Sequence, residues 1–343
     1  MKYTIILYFA LVISFMSCSH DLMQMDNDAG AIDIFDEFWT YVDEHYIYFD
    51  LKEVDWDDVY KRYRAELYDG MSDDEVFALC NKALLELKDT HCRLESSERK
   101  GVNYDFTQAY DIHFSLKKVN EVYANRSLEQ SGFIFHAILP NDIGYIYIAR
   151  MQKYGAFTSI VRSMYAQGAK GLIIDVRNNG GGDSNPVIEI ASDFIRQPTT
   201  LGYYVEKSGP GHEEMTSPIE IKAHPSPDFY FDRPVAVLIN RRSYSAATYL
   251  ASMFQEIPGV SLVGQVTGGG GGGNFGYQLS NEWIVAVSVS DFLNSDFRSV
   301  EFGVVPDIKI ENTEERLANG VDDMLLLDRA DVIRMSQVLY CNS

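Results

Sequence analysis

Ile32, Phe35, Phe38, Trp39 and Val42 recur at three- and four-residue spacing, which places them on one face of a helix. The spacing returns over residues 59–67 and 73–87, where Val76, Leu79, Ala83, Leu84 and Leu87 share a side. Three amphipathic helices are predicted. The third opens on Ser72 with Glu75 three residues later, a capping-box signature. After Leu87 the pattern shortens to alternating or apolar runs at 111–116, 132–139 and 144–149, which predict strands. From Gly144 onward strand and helix alternate: strand 144–149, helix 157–167, strand 171–176, helix 186–196, a polar Pro-containing excursion over 198–232, strand 234–240, helix 246–255 and strand 261–264. That order predicts an α/β core with a largely parallel sheet. A glycine-rich β region and a last helix over 321–339 close the chain.

A length of 343 residues with 46% hydrophobic content supports a large core divided into two or three compact units. The formal net charge of -21 excludes nucleic acid as the expected partner, because such binding rests on Lys and Arg neutralising phosphates. Beyond that, an acidic balance predicts only solubility and repulsion of anionic surfaces.

The first seventeen residues are set apart from the fold. Lys2 supplies a basic start, and the apolar run from Ile5 to Phe15 is too short to span a bilayer comfortably, as in an export signal. Ser17 and Cys18 follow, a small residue before a cysteine, and this resembles the bacterial lipoprotein cleavage box. The resemblance implies that Cys18 is acylated, becomes the mature N-terminus and anchors the protein in the cell envelope, at the outer membrane or on a periplasmic face. Residues 18–30 then read as a polar tether. Cys80, Cys92 and Cys341 remain, an odd number with no CxxC spacing, so neither a disulfide framework nor a zinc site is expected. Cys92 adjoins His91, but neighbouring side chains on an extended segment point to opposite faces, and Cys92 is expected to be a buried filler.

Two segments break local rules at strand ends. Residues 171–183 run from a buried strand into Gly180, Gly181 and Gly182. Glycines there permit positive φ and close approach of backbone N–H groups, which suits an oxyanion hole, a phosphate loop or a tight structural turn equally. Residues 234–251 turn from an apolar strand into a helix directly after Ser245. A serine on such an elbow either presents its hydroxyl at the sheet edge as a nucleophile or simply caps the helix.

Together the two segments, strand-Asp-x-Arg-x-Asn-Gly-Gly-Gly and strand-Asn-x-x-x-x-Ser-Ala-Ala, resemble the core of the tail-specific (C-terminal processing) and tricorn-core serine peptidases over roughly residues 80–310. The resemblance implies an α/β fold with a ClpP/crotonase-like catalytic core and Ser245 as nucleophile. The oxyanion would be held by the Ala246 N–H and a glycine N–H, Gly181 first, with Gly180 and Gly182 as alternatives. Ser/Lys members carry a lysine in a short glycine loop after the nucleophile; here residues 264–274 contain none, so a Ser/Lys pair would need a lysine from elsewhere. The tricorn-core branch uses histidine, and residues 87–94, with Thr90 before His91, resemble its motif. His91 is then the general base. Thr90 and Glu301, the latter in a Glu-x-Gly-x-x-Pro-Asp stretch, complete a hydrogen-bonded tetrad in that branch.

This chemistry suits the residue types. A serine hydroxyl needs a base with pKa near neutrality to take its proton and later to protonate the leaving amine. No metal or cofactor is implied. The run of six glycines from Gly268 reads as a linker or, beside the nucleophile, as backbone along which a peptide lies, with Gly269 and Gly270 as substrate-binding candidates. The expected organisation is a signal over 1–17, a tether over 18–30, a helical domain over 31–94, a small β subdomain over 95–142, too short for the PDZ domain of many relatives, and a catalytic core over 143–343. Exported peptides or unfolded proteins are the expected substrates. A binding protein on the same scaffold is the alternative, separable by whether the protein hydrolyses casein. If Cys18 is the lipidated residue, metabolic labelling with a fatty-acid analogue will mark the wild type and not Cys18→Ala; equal labelling of both would remove the anchor.

Overall fold

A computed structural model describes residues 30–107, 110–152 and 155–326. The expected signal segment, Cys18, Cys341 and most of the predicted last helix lie outside the described residues. The three predicted helices are present as α1 (Ala31–His45), α2 (Trp56–Arg64) and α3 (Asp73–Leu85). The capping box on α3 is formed, with Ser72 accepting from the Glu75 N–H and Glu75 accepting from the Ser72 N–H. These helices bury Phe35, Phe38, Trp56, Val76 and Leu84 in one apolar cluster that also takes in Val285 and Val287 of a later strand. The helical unit is therefore packed onto the β structure rather than standing apart.

The chain continues through β1 (Arg93–Glu95), a short helix α4 (Leu116–Lys118), β2 (Glu129–Ser131), β3 (Ile134–Leu139), β4 (Ile143–Ile148), α5 (Phe157–Ala166), β5 (Gly171–Asp175) and α6 (Asn185–Ala191). Next come β6 (Thr199–Glu206), β7 (Ile219–Ala223), β8 (Val235–Ile239), α7 (Ala246–Gln255), β9 (Val260–Gly264), β10 (Asn274–Gln278), β11 (Ile284–Ser288), β12 (Ser290–Leu293), β13 (Ile308–Lys309) and α8 (Glu314–Ala318). Seven strands form the central sheet in the order β13-β9-β8-β5-β4-β3-β2. From β4 to β13 the neighbours are parallel; β3 and β2 add an antiparallel edge. Both faces are covered, so successive side chains go to different cores: Ile146, Ile148, Leu172 and Ile174 pack with α5 to α7, while Tyr145, Tyr147 and Ile173 pack on the opposite face. Burial on both faces explains the near-continuous apolar runs in β5 and β8.

Three expectations are corrected. Residues 95–142 form no separate β subdomain: β2 and β3 join the central sheet, and residues 111–115 carry no strand. The polar excursion over 198–232 contains the β6–β7 hairpin, which pairs with β12. Residues 321–326 are turn and irregular backbone instead of the start of a helix.

The Asp-x-Arg of the first motif carries a structural load at the end of β5. Arg177, fully buried, donates to both Asp175 oxygens and reaches both Asp322 oxygens at 2.9 and 2.8 Å. Tyr145 donates to Asp175 at 2.8 Å. One cation thus ties the sheet end to the C-terminal segment. Removing it strands two buried carboxylates, a change that costs about 3–5 kcal/mol. Arg177→Met should therefore lower the unfolding free energy steeply in denaturant titration, whereas Arg62→Met, on a solvent-exposed pair, should change it by less than about 1 kcal/mol.

Candidate active site

Because β5 and β8 are adjacent and parallel, the loops leaving their carboxyl ends emerge side by side. Two asparagines lock these loops together. The Asn240 carboxamide accepts from the Asn178 N–H at 3.0 Å and donates to the Asn178 side chain at 2.9 Å. The Tyr244 N–H donates to the Asn179 carbonyl at 3.0 Å.

Ser245 sits on this lock at the entry to α7 with φ 55 and ψ -124, a left-handed backbone that non-glycine residues seldom adopt. Its neighbours fix it there: the Ser245 N–H donates to the Gly269 carbonyl at 2.8 Å, and the Ser245 carbonyl accepts from Thr248 and Tyr249 at 2.7 and 3.1 Å. A simple N-cap role is not what the hydroxyl performs, since it accepts no hydrogen bond from the helix it precedes. The hydroxyl lies instead 3.2 Å from His91 Nε2.

His91 arrives from the turn between α3 and β1, 154 positions away. Its carbonyl accepts from the Asn274 carboxamide at 3.1 Å, its N–H donates to Asp89 at 2.8 Å, and its Nδ1 lies 3.5 Å from the Tyr244 hydroxyl. Burial pushes the His91 pKa below the ordinary histidine value; the Asp89 charge opposes this, and Lys52 and Arg93 add to it. The ring is accordingly neutral near pH 7 and ready to accept a proton.

Around the hydroxyl, the Ala246 N–H makes no hydrogen bond among the described residues. Gly181 lies directly against the serine: a Cβ on it would stand 2.7 Å from Ser245 Cβ. The Gly181 N–H, however, donates to the Asn179 side chain at 2.9 Å. The amides of Gly180 and Gly182, both at exposed positions, make no hydrogen bond among the described residues.

Thr90 and Glu301 are near the pair but not bonded to each other. Thr90 Oγ1 donates to the Tyr104 carbonyl at 2.8 Å. Glu301 accepts from the Gly271 N–H at 2.8 Å and pairs with Lys52 Nζ at 2.6 Å. Gly269 and Gly270, expected along a bound peptide, are buried against the chain itself: their Cβ atoms would meet the Glu301 carbonyl at 1.9 Å and the Tyr244 ring at 2.5 Å. The close approach that these glycines permit is internal packing.

Three side chains that the sequence did not single out stand around His91: Tyr244, Asp89 and Lys52. Tyr244 and Asp89 each adjoin a named residue, Ser245 and Thr90, so inspection of the neighbours would have found them. Nothing in the sequence marks Lys52, which reaches the site from the loop after α1. A cavity of about 920 Å3 is lined in part by Thr90, Tyr104, Phe106, Tyr244 and Glu301, the neighbours of the pair rather than Ser245 and His91 themselves.

Known proteins resemble this chain in sequence and fold. Residues 142–310 match the model of peptidase family S41, and residues 32–84 match the tricorn protease C1 domain. A solved structure of a candidate peptidase from Parabacteroides merdae is 34% identical with a TM-score of 0.81, the likeness covering 87% of this chain and 95% of that one. The carboxyl-terminal-processing protease of Synechocystis is 30% identical over 173 residues, which are 50% of this chain and 38% of that protein. This chain thus spans well under half the length of that curated relative. Mature CPAF shares the fold at 13% identity and TM-score 0.65, over 84% of this chain and 94% of that one. With its sheet, its two strand-end loops and its match to the Parabacteroides structure, the chain belongs to peptidase family S41.

Proposed function

We propose that this protein is a serine peptidase in which Ser245 attacks the scissile carbonyl and His91 is its general base. The observation that carries this reading is the 3.2 Å approach of His91 Nε2 to the hydroxyl of a serine held at positive φ on a strand-to-helix elbow. His91 takes the Ser245 proton as the Oγ–carbon bond forms. The resulting oxyanion is met by the Ala246 N–H and by Gly182 or Gly180, since the Gly181 N–H is already engaged. As the intermediate collapses, His91 returns the proton to the leaving amine; water then releases the acyl group by the same steps in reverse.

Thr90 and Glu301 support the site at one remove. Glu301 fixes the glycine tract through Gly271, and that tract supplies the carbonyl that holds the Ser245 N–H. Thr90 anchors its turn to Tyr104. The cavity beside Tyr244 has the volume of a small-molecule site and suits one or two peptide side chains. Exported peptides or unfolded proteins are the substrates in this reading, with the enzyme held at the cell envelope through Cys18.

Nucleophile and base act as one unit, so their losses should not add. Ser245→Ala and His91→Ala should each lower kcat for casein or peptide hydrolysis by roughly ten-thousand-fold or more, and the double variant should be no slower than either. Near wild-type turnover in Ser245→Ala would show that another residue is the nucleophile.

A further inference from the structure

Glu301 is bonded to Lys52 and Gly271 rather than to the His91 ring, so the charge that forms on that ring calls for another partner. Asp89 is the only carboxylate among the described residues within 4.0 Å of a His91 ring nitrogen, with Oδ1 at that distance from Nδ1. Its side chain is fully buried and gripped from several sides: Oδ1 by the His91 N–H at 2.8 Å, Oδ2 by Tyr46 at 3.2 Å and Ser288 at 2.8 Å. Lys52 Nζ stands 3.7 Å from the same Oδ2 and 2.6 Å from Glu301 Oε1, with a further bond to the Lys88 carbonyl at 3.2 Å. The Lys52 side chain is 6% exposed. One buried cation therefore faces two buried carboxylates from different parts of the chain.

Building on the Ser245–His91 reading, we infer that Asp89 is the positioning carboxylate for His91, and that Lys52 is a second positioning residue whose charge keeps Asp89 ionised beside Glu301. When the Ser245 proton moves to Nε2, the imidazolium forms beside the Asp89 charge and is stabilised by it; no proton passes to Asp89. Without Lys52, two carboxylates would share an apolar site, and one would take up a proton. The balance is already close. Burial raises Glu301, and Asp89 raises it further, to about 7 despite Lys52. Burial acts to raise Asp89 as well, yet Lys52, His91 and the hydrogen bonds hold it below its ordinary value. The charged or titratable groups facing His91 are Asp89 and Arg93 from its own segment, Lys52 from the loop after α1, and Tyr244 from the serine loop.

The test is a direct titration of His91 by NMR in the full chain, made with labelled histidine and solubilised in detergent, with His91→Gln identifying the resonance. This reads the network whether or not peptides are cleaved. Asp89→Asn, which removes the attraction, should lower the His91 pKa by about one unit or more. In Lys52→Met/Glu301→Gln, Asp89 remains ionised with no cation beside it, and the His91 pKa should rise above wild type. The double variant leaves Asp89 in place, so it tests the inference even where Asp89→Asn fails to fold. An unmoved His91 titration in folded Asp89→Asn, or no rise in the double variant, would overturn the inference. Absence of hydrolysis by the wild type would instead count against the peptidase reading alone.

Discussion

The backbone of Ser245 is the constraint on which the rest of the site depends. A serine at φ 55 is stable only where its surroundings over-determine it, at a cost of order 1–3 kcal/mol. Three parts of the chain supply that: the Asn178–Asn240 lock between two strand ends, the Gly269 carbonyl that receives the Ser245 N–H, and the first turn of α7. Gly181 must be glycine in this arrangement because it has φ 94 and a Cβ would strike Ser245. The strain has a use, since it turns the hydroxyl away from capping α7 and toward His91.

Charge burial is the second theme, and it recurs on both sides of the sheet end. Arg177 between Asp175 and Asp322 fastens the first glycine loop from below, while Lys52 between Asp89 and Glu301 sits behind His91. Both are cations with two carboxylates, but they differ in consequence. The Arg177 guanidinium cannot lose its proton and makes bidentate contacts, which suits a rigid tie. The Lys52 ammonium is a point charge beside a carboxylate that titrates near 7, so the charge state of that cluster is responsive to pH.

Local signals in the sequence were sufficient where local physics decides. The capping box of α3, the apolar runs of β5 and β8 and the bounds of α7 all follow from propensity and burial. Partners were harder to read. Alternation in residues 132–139 predicts a strand but not that β3 pairs with β4, and the alternation of Ile219 to Ala223 lies hidden inside a polar excursion and does not say that β7 pairs with β6. The meeting of Ser245 with His91 was legible only because two motifs resemble one family. Six consecutive glycines carry no pattern, and only their packing against Tyr244, Glu301, Asp291 and Ser288 shows that they are interior. Lys52 was invisible for the same reason: an ordinary loop lysine gains meaning only from two distant carboxylates.

Activation of Ser245 by His91 is the proposal on which the other roles rest. The most direct measurement is modification by a serine-reactive phosphonate, followed by intact mass and peptide mapping of the adduct. A single adduct should form on Ser245, at a rate that collapses in His91→Ala. An adduct on another serine, or an undiminished rate at Ser245 in the absence of His91, would contradict it.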